Sequence, residues 1–178
     1  MREAQAVPIE RRERIAVWLI NSPLDPLGVT GLSDLARGIE KAGFEVDTMP
    51  YASGTVVAKR VRNAKFEGQD AALIAWSGAS LSVHDALSQL EREGERVALV
   101  IYLDSCWIKG RIEEAGHSDN AERVVLIYRK NNAFPEIEGA ERYAVKEWNH
   151  LAMPRRKEVA TAVVRELTRL AEAETERE

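Results

Sequence analysis

The sequence of 178 residues predicts an α/β protein, a three-layer α/β/α sandwich with about six mostly parallel strands. Nearly continuous apolar runs recur along the chain without polar alternation, which is typical of strands buried on both faces of a parallel sheet. Segments with apolar residues at helical spacing separate most of these runs, as in right-handed strand-helix-strand crossovers. We expect a polar amino-terminal segment at 1–13, a single domain at 14–171 and a frayed acidic tail at 172–178.

The first half of the domain predicts strands and helices in strict alternation. RIAVWLIN is the first strand, and Leu32, Leu35, Ala36 and Ile39 follow it at the spacing of one helix face. The remaining predicted elements of this half are a strand at 44–51, a helix at 56–66, a strand at 69–77 and a helix at 79–93.

The second half predicts three more strands and a closing helix. The strands are RVALVIYLD at 96–104, ERVVLIYRK at 122–130 and the shorter RYAVKEW at 142–148. Segment 106–121 predicts a loop or a single short helix, and 131–140 predicts a loop. The helix at 157–171 has the clearest apolar stripe in the chain, and Pro154 precedes it.

Composition narrows the classes of function. Hydrophobic residues make up 45% and charged residues 30%, as in a globular protein, and a net charge of −4 gives no general attraction to nucleic acid or anionic membrane. No apolar run is long enough to span a membrane, the amino terminus lacks the apolar core of a signal peptide, and the single cysteine excludes an internal disulfide. We expect a cytoplasmic protein without metal or cofactor. The sequence leaves the oligomeric state undecided, and a homo-oligomer is one possibility.

Ser77 lies at a predicted strand-to-helix turn, in LIAWSGASLSVHDAL. A nucleophilic serine on such a turn needs small residues two positions before and after it, where the pattern G-x-S-x-G has glycine. Here both positions are alanine, Ala75 and Ala79. The turn is therefore sterically suited to a nucleophile, although small residues that let a helix pack closely on a sheet would have the same pattern.

A base and an acid follow at later strand ends. His150 comes directly after the sixth predicted strand, whereas we expect His84 to face solvent on a helix and His117 to lie in a surface loop. Asp104 ends the fourth predicted strand, where it could orient a histidine or simply shape a turn. Ser77, Asp104 and His150 occur in the order nucleophile, acid, base.

These segments, with KEWNHLAMPRRKEVATAVVREL at the end, resemble the α/β-hydrolase family, in particular compact lipase- or esterase-like members. The resemblance implies a minimal hydrolase-like core without a lid, with strand order 2-1-3-4-5-6. It implies Ser77 as nucleophile, His150 as general base and Asp104 as its orienting acid, acting on a small acyl substrate such as an ester or thioester.

In that family the oxyanion hole uses the amide after the nucleophile and another from the first loop, which here implies Gly78 and Ser22. The loop reads NSPLDP instead of a His-Gly type. Asp25 in this loop is an alternative acid or a turn residue.

Trp76, Trp107 and Trp148 stand near strand ends and are expected to line an apolar acyl pocket, to pack in the core or to lie at a protein interface. Cys106 is expected to be a small buried hydrophobic residue instead of a thiol nucleophile.

Two other functions stay open at this point. The chain could be a binding or scaffold protein that keeps the hydrolase-like fold without the chemistry, which the alanines on either side of Ser77 and the missing lid favour. It could also be flavodoxin-like or nucleotide-binding, since alternating strands and helices fit those folds. The first loop contains neither G-x-G-x-x-G nor a P-loop pattern, so the sequence offers no phosphate cradle there.

Overall fold

A computed structural model describes residues 7–23, 25, 30–147 and 149–173. Its strands are β1 Ile15–Ile20, β2 Val46–Met49, β3 Asp70–Trp76, β4 Leu99–Leu103, β5 Val124–Arg129 and β6 Glu141–Val145. The α-helices in these ranges are α1 Ile9–Glu13, α2 Leu32–Lys41, α3 Gly54–Phe66, α4 Ala79–Arg92, α5 Ile108–Ala115 and α6 Lys157–Ala173, and a short 3₁₀-helix covers Met153–Arg155.

The six strands form one parallel sheet in the order β2-β1-β3-β4-β5-β6. The predicted fold class and strand order are confirmed. All the strands point the same way, so their carboxyl ends meet at one edge of the sheet. The chain reverses its direction across the sheet between β1 and β3, and ligands of such sheets bind outside the carboxyl ends near that switch.

Each face of the sheet carries its own hydrophobic core. Along β3, alternate residues enter opposite cores: Ala72, Ile74 and Trp76 on one face, and Ala71, Leu73 and Ala75 on the other. The first core contains residues of α2 and α6, and the second those of α3, α4 and α5. Right-handed crossovers explain this division, because the β1-to-β2 connection runs across the sheet opposite to the later ones.

Three segments add detail to the sequence prediction. The amino-terminal segment, expected only to be polar, contains α1, and Val7 just before it packs into the first core. Segment 106–121 contains the single short helix α5. The helix α6 continues to Ala173, two residues into the predicted tail at 172–178, and the rest of that tail lies outside the described residues. No helix of the described chain is long and apolar enough to cross a bilayer.

Candidate active site

Ser77 occupies a strained turn between β3 and α4. Its backbone φ of 53° lies in the left-handed region that non-glycine residues rarely adopt. The Ser77 amide donates to the Leu103 carbonyl at 3.0 Å, which holds the turn against the neighbouring strand. Ala75 and Ala79 are both fully buried, so the two small residues let α4 approach the sheet closely.

Asp104 holds the equivalent position at the end of β4, with φ 46°. Its amide donates to the Ile127 carbonyl at 2.8 Å, and its side chain is completely buried. Burial alone would raise the pKa of this carboxyl group. Hydrogen bonds from His150, Asn132 and Arg129 outweigh that effect and hold the Asp104 pKa below its usual value.

His150 lies in the turn between β6 and the 3₁₀-helix, with its ring between the other two residues. Its Nδ1 is 2.6 Å from Asp104 Oδ2, and its Nε2 is 2.9 Å from Ser77 Oγ. A carboxylate can only accept, so the proton belongs on Nδ1, and Nε2 is left to accept from the serine hydroxyl. The structure thus brings Ser77, Asp104 and His150 into one continuous hydrogen-bonded relay.

Trp76 packs beneath the imidazole of His150. The two rings are stacked with centroids 5.0 Å apart and an interplanar angle of 18°. Only 1% of the Trp76 surface is exposed, so of the roles expected for this residue the structure shows core packing, in contact with His150. Trp107 is 54% exposed just before α5, and Trp148 lies outside the described residues.

Ser22 and Pro23, shortly after β1, pack directly against the turn that carries Ser77. A side chain at Gly78 would bring its Cβ within 3.0 Å of Pro23 Cδ and 3.1 Å of Ser22 Oγ. Among the described residues the Gly78 amide has no hydrogen-bond acceptor, whereas the Ser22 amide donates to Asn21 Oδ1 at 2.8 Å. The two residues assigned to the oxyanion hole therefore lie side by side, but the Ser22 amide is engaged.

Asp25 organises this same loop. Its Oδ2 accepts a hydrogen bond from Thr30 Oγ1 at 2.6 Å, and its backbone carbonyl accepts one from Asn21 Nδ2 at 2.9 Å. His150 is paired with Asp104 instead, so the alternative of Asp25 as the orienting acid is not what the structure has.

The sequence predictions for His84 and Cys106 are wrong, whereas His117 lies in the predicted loop but is only partly exposed. His84 is only 6% exposed and its Nε2 pairs with the Gly116 carbonyl, because the chain after α5 covers that side of α4. His117 is partly buried, with Nε2 3.0 Å from the Tyr102 hydroxyl, and burial together with nearby His84 lowers its pKa to about 4. Cys106 is exposed, because the chain leaves the sheet after Asp104.

Arg129 and Asn132 contact the carboxylate of Asp104, and the sequence predicted a role for neither of them. Arg129 Nε lies 2.5 Å from Asp104 Oδ2, and Asn132 Nδ2 donates to Oδ1 at 2.8 Å. Both residues follow the apolar part of β5 and so reach the same sheet edge as Asp104. Their position after an apolar strand was the sequence feature that could have identified them. It does not reveal which of the side chains there turns toward Asp104.

Within the described ranges, no group of three or more His, Cys, Asp or Glu side chains is placed to hold a metal ion. Comparisons with protein-family models, with curated proteins and with solved structures gave no significant match.

Proposed function

We propose that this protein is a serine hydrolase that acts on an ester or thioester bond of a small acyl substrate. The observation that carries the proposal is the relay through His150, whose two ring nitrogens lie 2.6 Å from Asp104 Oδ2 and 2.9 Å from Ser77 Oγ. These are the contacts that a nucleophile, base and orienting acid require.

In the acylation step, Ser77 Oγ attacks the substrate carbonyl carbon while His150 Nε2 takes the hydroxyl proton. The tetrahedral intermediate then collapses, the bond to the leaving group breaks, and His150 returns the proton to that group. Water then attacks the acyl-serine while His150 accepts its proton. The carboxylic acid product is released, and His150 returns the proton to restore the Ser77 hydroxyl. Asp104 stays ionised and stabilises the imidazolium that forms in both steps.

The oxyanion formed in each step needs donors beside Ser77 Oγ. The Gly78 amide follows the nucleophile directly and has no acceptor among the described residues, which suits this role. Ser22 is the second residue that we assign, since its hydroxyl oxygen lies against Gly78. Its amide can contribute only by sharing the proton now donated to Asn21 Oδ1.

Labelling with a fluorophosphonate probe tests the proposal, because this probe phosphonylates an activated serine without needing the natural substrate. We expect wild-type protein to label on Ser77, and Ser77→Ala to lose labelling while keeping its circular dichroism spectrum and unfolding midpoint. Ser80→Ala is the matched control, since the Ser80 hydroxyl only donates to the Ser77 carbonyl at 2.8 Å. A folded wild-type protein that never labels would rule out this mechanism and favour a binding role for the fold.

A further inference from the structure

The carboxylate of Asp104 is shared between the base and a permanent cation. His150 Nδ1 and Arg129 Nε approach the same oxygen, Oδ2, at 2.6 and 2.5 Å. The other oxygen, Oδ1, accepts from Asn132 Nδ2 at 2.8 Å and from the Arg129 amide at 3.3 Å. Both oxygens of the acid are therefore satisfied, and one of their partners carries a full positive charge.

Orientation of the carboxylate does not by itself require a cation. Asn132 and the backbone amide of Arg129 already fix Oδ1, and a neutral donor on Oδ2 would complete the arrangement. A guanidinium on Oδ2 does something more, because it offsets part of the negative charge that would otherwise stabilise a protonated His150. An imidazole that gains less from protonation remains neutral down to a lower pH, and a neutral imidazole can accept the serine proton.

We propose that Arg129 is a positioning residue that sets the lower pH limit at which His150 works as the base. This inference rests on the proposed function. It assigns Arg129 an effect through Asp104, with no contact to substrate.

The other groups around the relay do not supply the same effect. The Tyr128 hydroxyl donates to the Ser105 carbonyl at 2.7 Å, and burial raises the pKa of this tyrosine, so it stays neutral. Trp76 at the end of β3 and Ser77 directly after it are uncharged. On the segment that carries His150, Glu147 forms an ion pair with Arg156 at 3.5 Å. Cys106, just before α5, is exposed. Arg129 is the cation that the described structure places in contact with Asp104.

The rate of fluorophosphonate labelling as a function of pH tests the inference without a known substrate. We expect Arg129→Met to move the acid limb of the wild-type profile to higher pH by about half to one unit, because the lost charge is close but partly screened by solvent. Arg129→Lys keeps the charge and should restore the limb. Arg62→Met removes an arginine paired with Glu93 and should leave the profile unchanged.

Arg129→Gln covers the case in which the methionine variant fails to fold, since glutamine keeps a neutral donor for Oδ2 and removes only the charge. It should show the same shift. Asn132→Ala, which removes a neutral donor, should lower the labelling rate and move the acid limb less than either charge-removing variant.

A second readout separates failure of this inference from failure of the proposed function. The ring signals of the three histidines can be titrated by NMR, and the loss of one in His150→Gln assigns His150. A higher titration midpoint for His150 in Arg129→Met or Arg129→Gln supports the inference even if the wild type never labels. An unchanged or lower midpoint overturns it, and labelling of Ser77 would then leave the proposed hydrolase intact.

Discussion

Ser77 and Asp104 have left-handed backbone conformations, with φ of 53° and 46°, and no other non-glycine residue of the described chain has a positive φ. Such a conformation costs about 1 kcal/mol or more for a residue with a Cβ, so it persists only where surrounding contacts enforce it. Here each amide is held by the neighbouring strand, through Leu103 and Ile127. Both residues also contact His150, so the backbone strain coincides with the candidate chemistry.

At Gly78 the constraint is space and not backbone conformation. Its φ of −61° is available to any residue, but an added Cβ would lie 3.0 Å from Pro23 Cδ and 3.1 Å from Ser22 Oγ. We expect Gly78→Ala to displace the loop after β1, to lower the free energy of unfolding by about 1 kcal/mol, and to slow fluorophosphonate labelling about tenfold. Urea unfolding and labelling kinetics measure the two effects.

Gly110 provides the matched control, because a Cβ there would meet nothing within 4 Å. It lies inside α5, so Gly110→Ala should stabilise the protein by roughly 0.5–1 kcal/mol and leave the labelling rate unchanged. Wild-type labelling by Gly78→Ala would contradict a role for the close contact between the two loops.

Among the elements, α4 shows where helical periodicity gives too little information. The apolar residues Val83, Leu87 and Leu90 correctly predict a buried stripe. However, Ser80, Ser82 and His84 are also buried, and His84 is covered by the chain after α5, which offers it the Gly116 carbonyl. A polar residue covered by a distant segment has no signature in the local pattern, because its burial depends on a partner that the pattern does not contain.

His117 in that segment predicts a pH dependence of stability. Burial and the neighbouring His84 lower its pKa to about 4 in the folded protein, against an ordinary value of 6.5. The unfolded chain therefore binds this proton more readily, and the free energy of unfolding should fall by about 2 kcal/mol as the pH drops from 6.5 to about 4. Urea unfolding of wild type and His117→Gln between these pH values measures the contribution.

Glutamine can still accept from the Tyr102 hydroxyl but does not titrate, so His117→Gln should lose less stability than wild type over this range. If the two curves of unfolding free energy against pH run parallel, His117 is not the source of the dependence.

Across the whole molecule, the sequence was sufficient to predict the sheet and the approximate location of the candidate site. Unbroken apolar strands imply a parallel sheet, and a parallel sheet brings residues as distant in sequence as Ser77 and His150 to one edge. Which side chains converge there depends on details smaller than a strand register. The reach of Arg129 to Asp104, the stacking of Trp76 under His150 and the engaged Ser22 amide were therefore not predictable.

The opposite edge of the sheet carries a second buried carboxylate, which we assign to stability. Glu166 on α6 is completely buried and accepts hydrogen bonds from Arg123 Nε at 2.8 Å and from the Tyr143 hydroxyl at 2.7 Å. It thus ties α6 to the start of β5 and to β6. Arg123 keeps its ion pair with Glu141 when Glu166 is removed, but the two hydrogen bonds to the buried carboxylate are lost, so Glu166→Ala should lower the free energy of unfolding by about 2 kcal/mol.

Glu158 on the same helix is the control, since it is exposed and its ion pair with Arg156 spans 3.9 Å; Glu158→Ala should change stability by less than about 0.5 kcal/mol. Equal unfolding midpoints for the two variants would contradict a stabilising role for Glu166.

Arg123 and Arg129 stand at opposite ends of β5, about 20 Å apart for a strand of this length. Glu166→Ala, assayed where it is still folded, should therefore label Ser77 at the wild-type rate, because the contacts that hold α6 and those that orient His150 lie at different edges of the sheet.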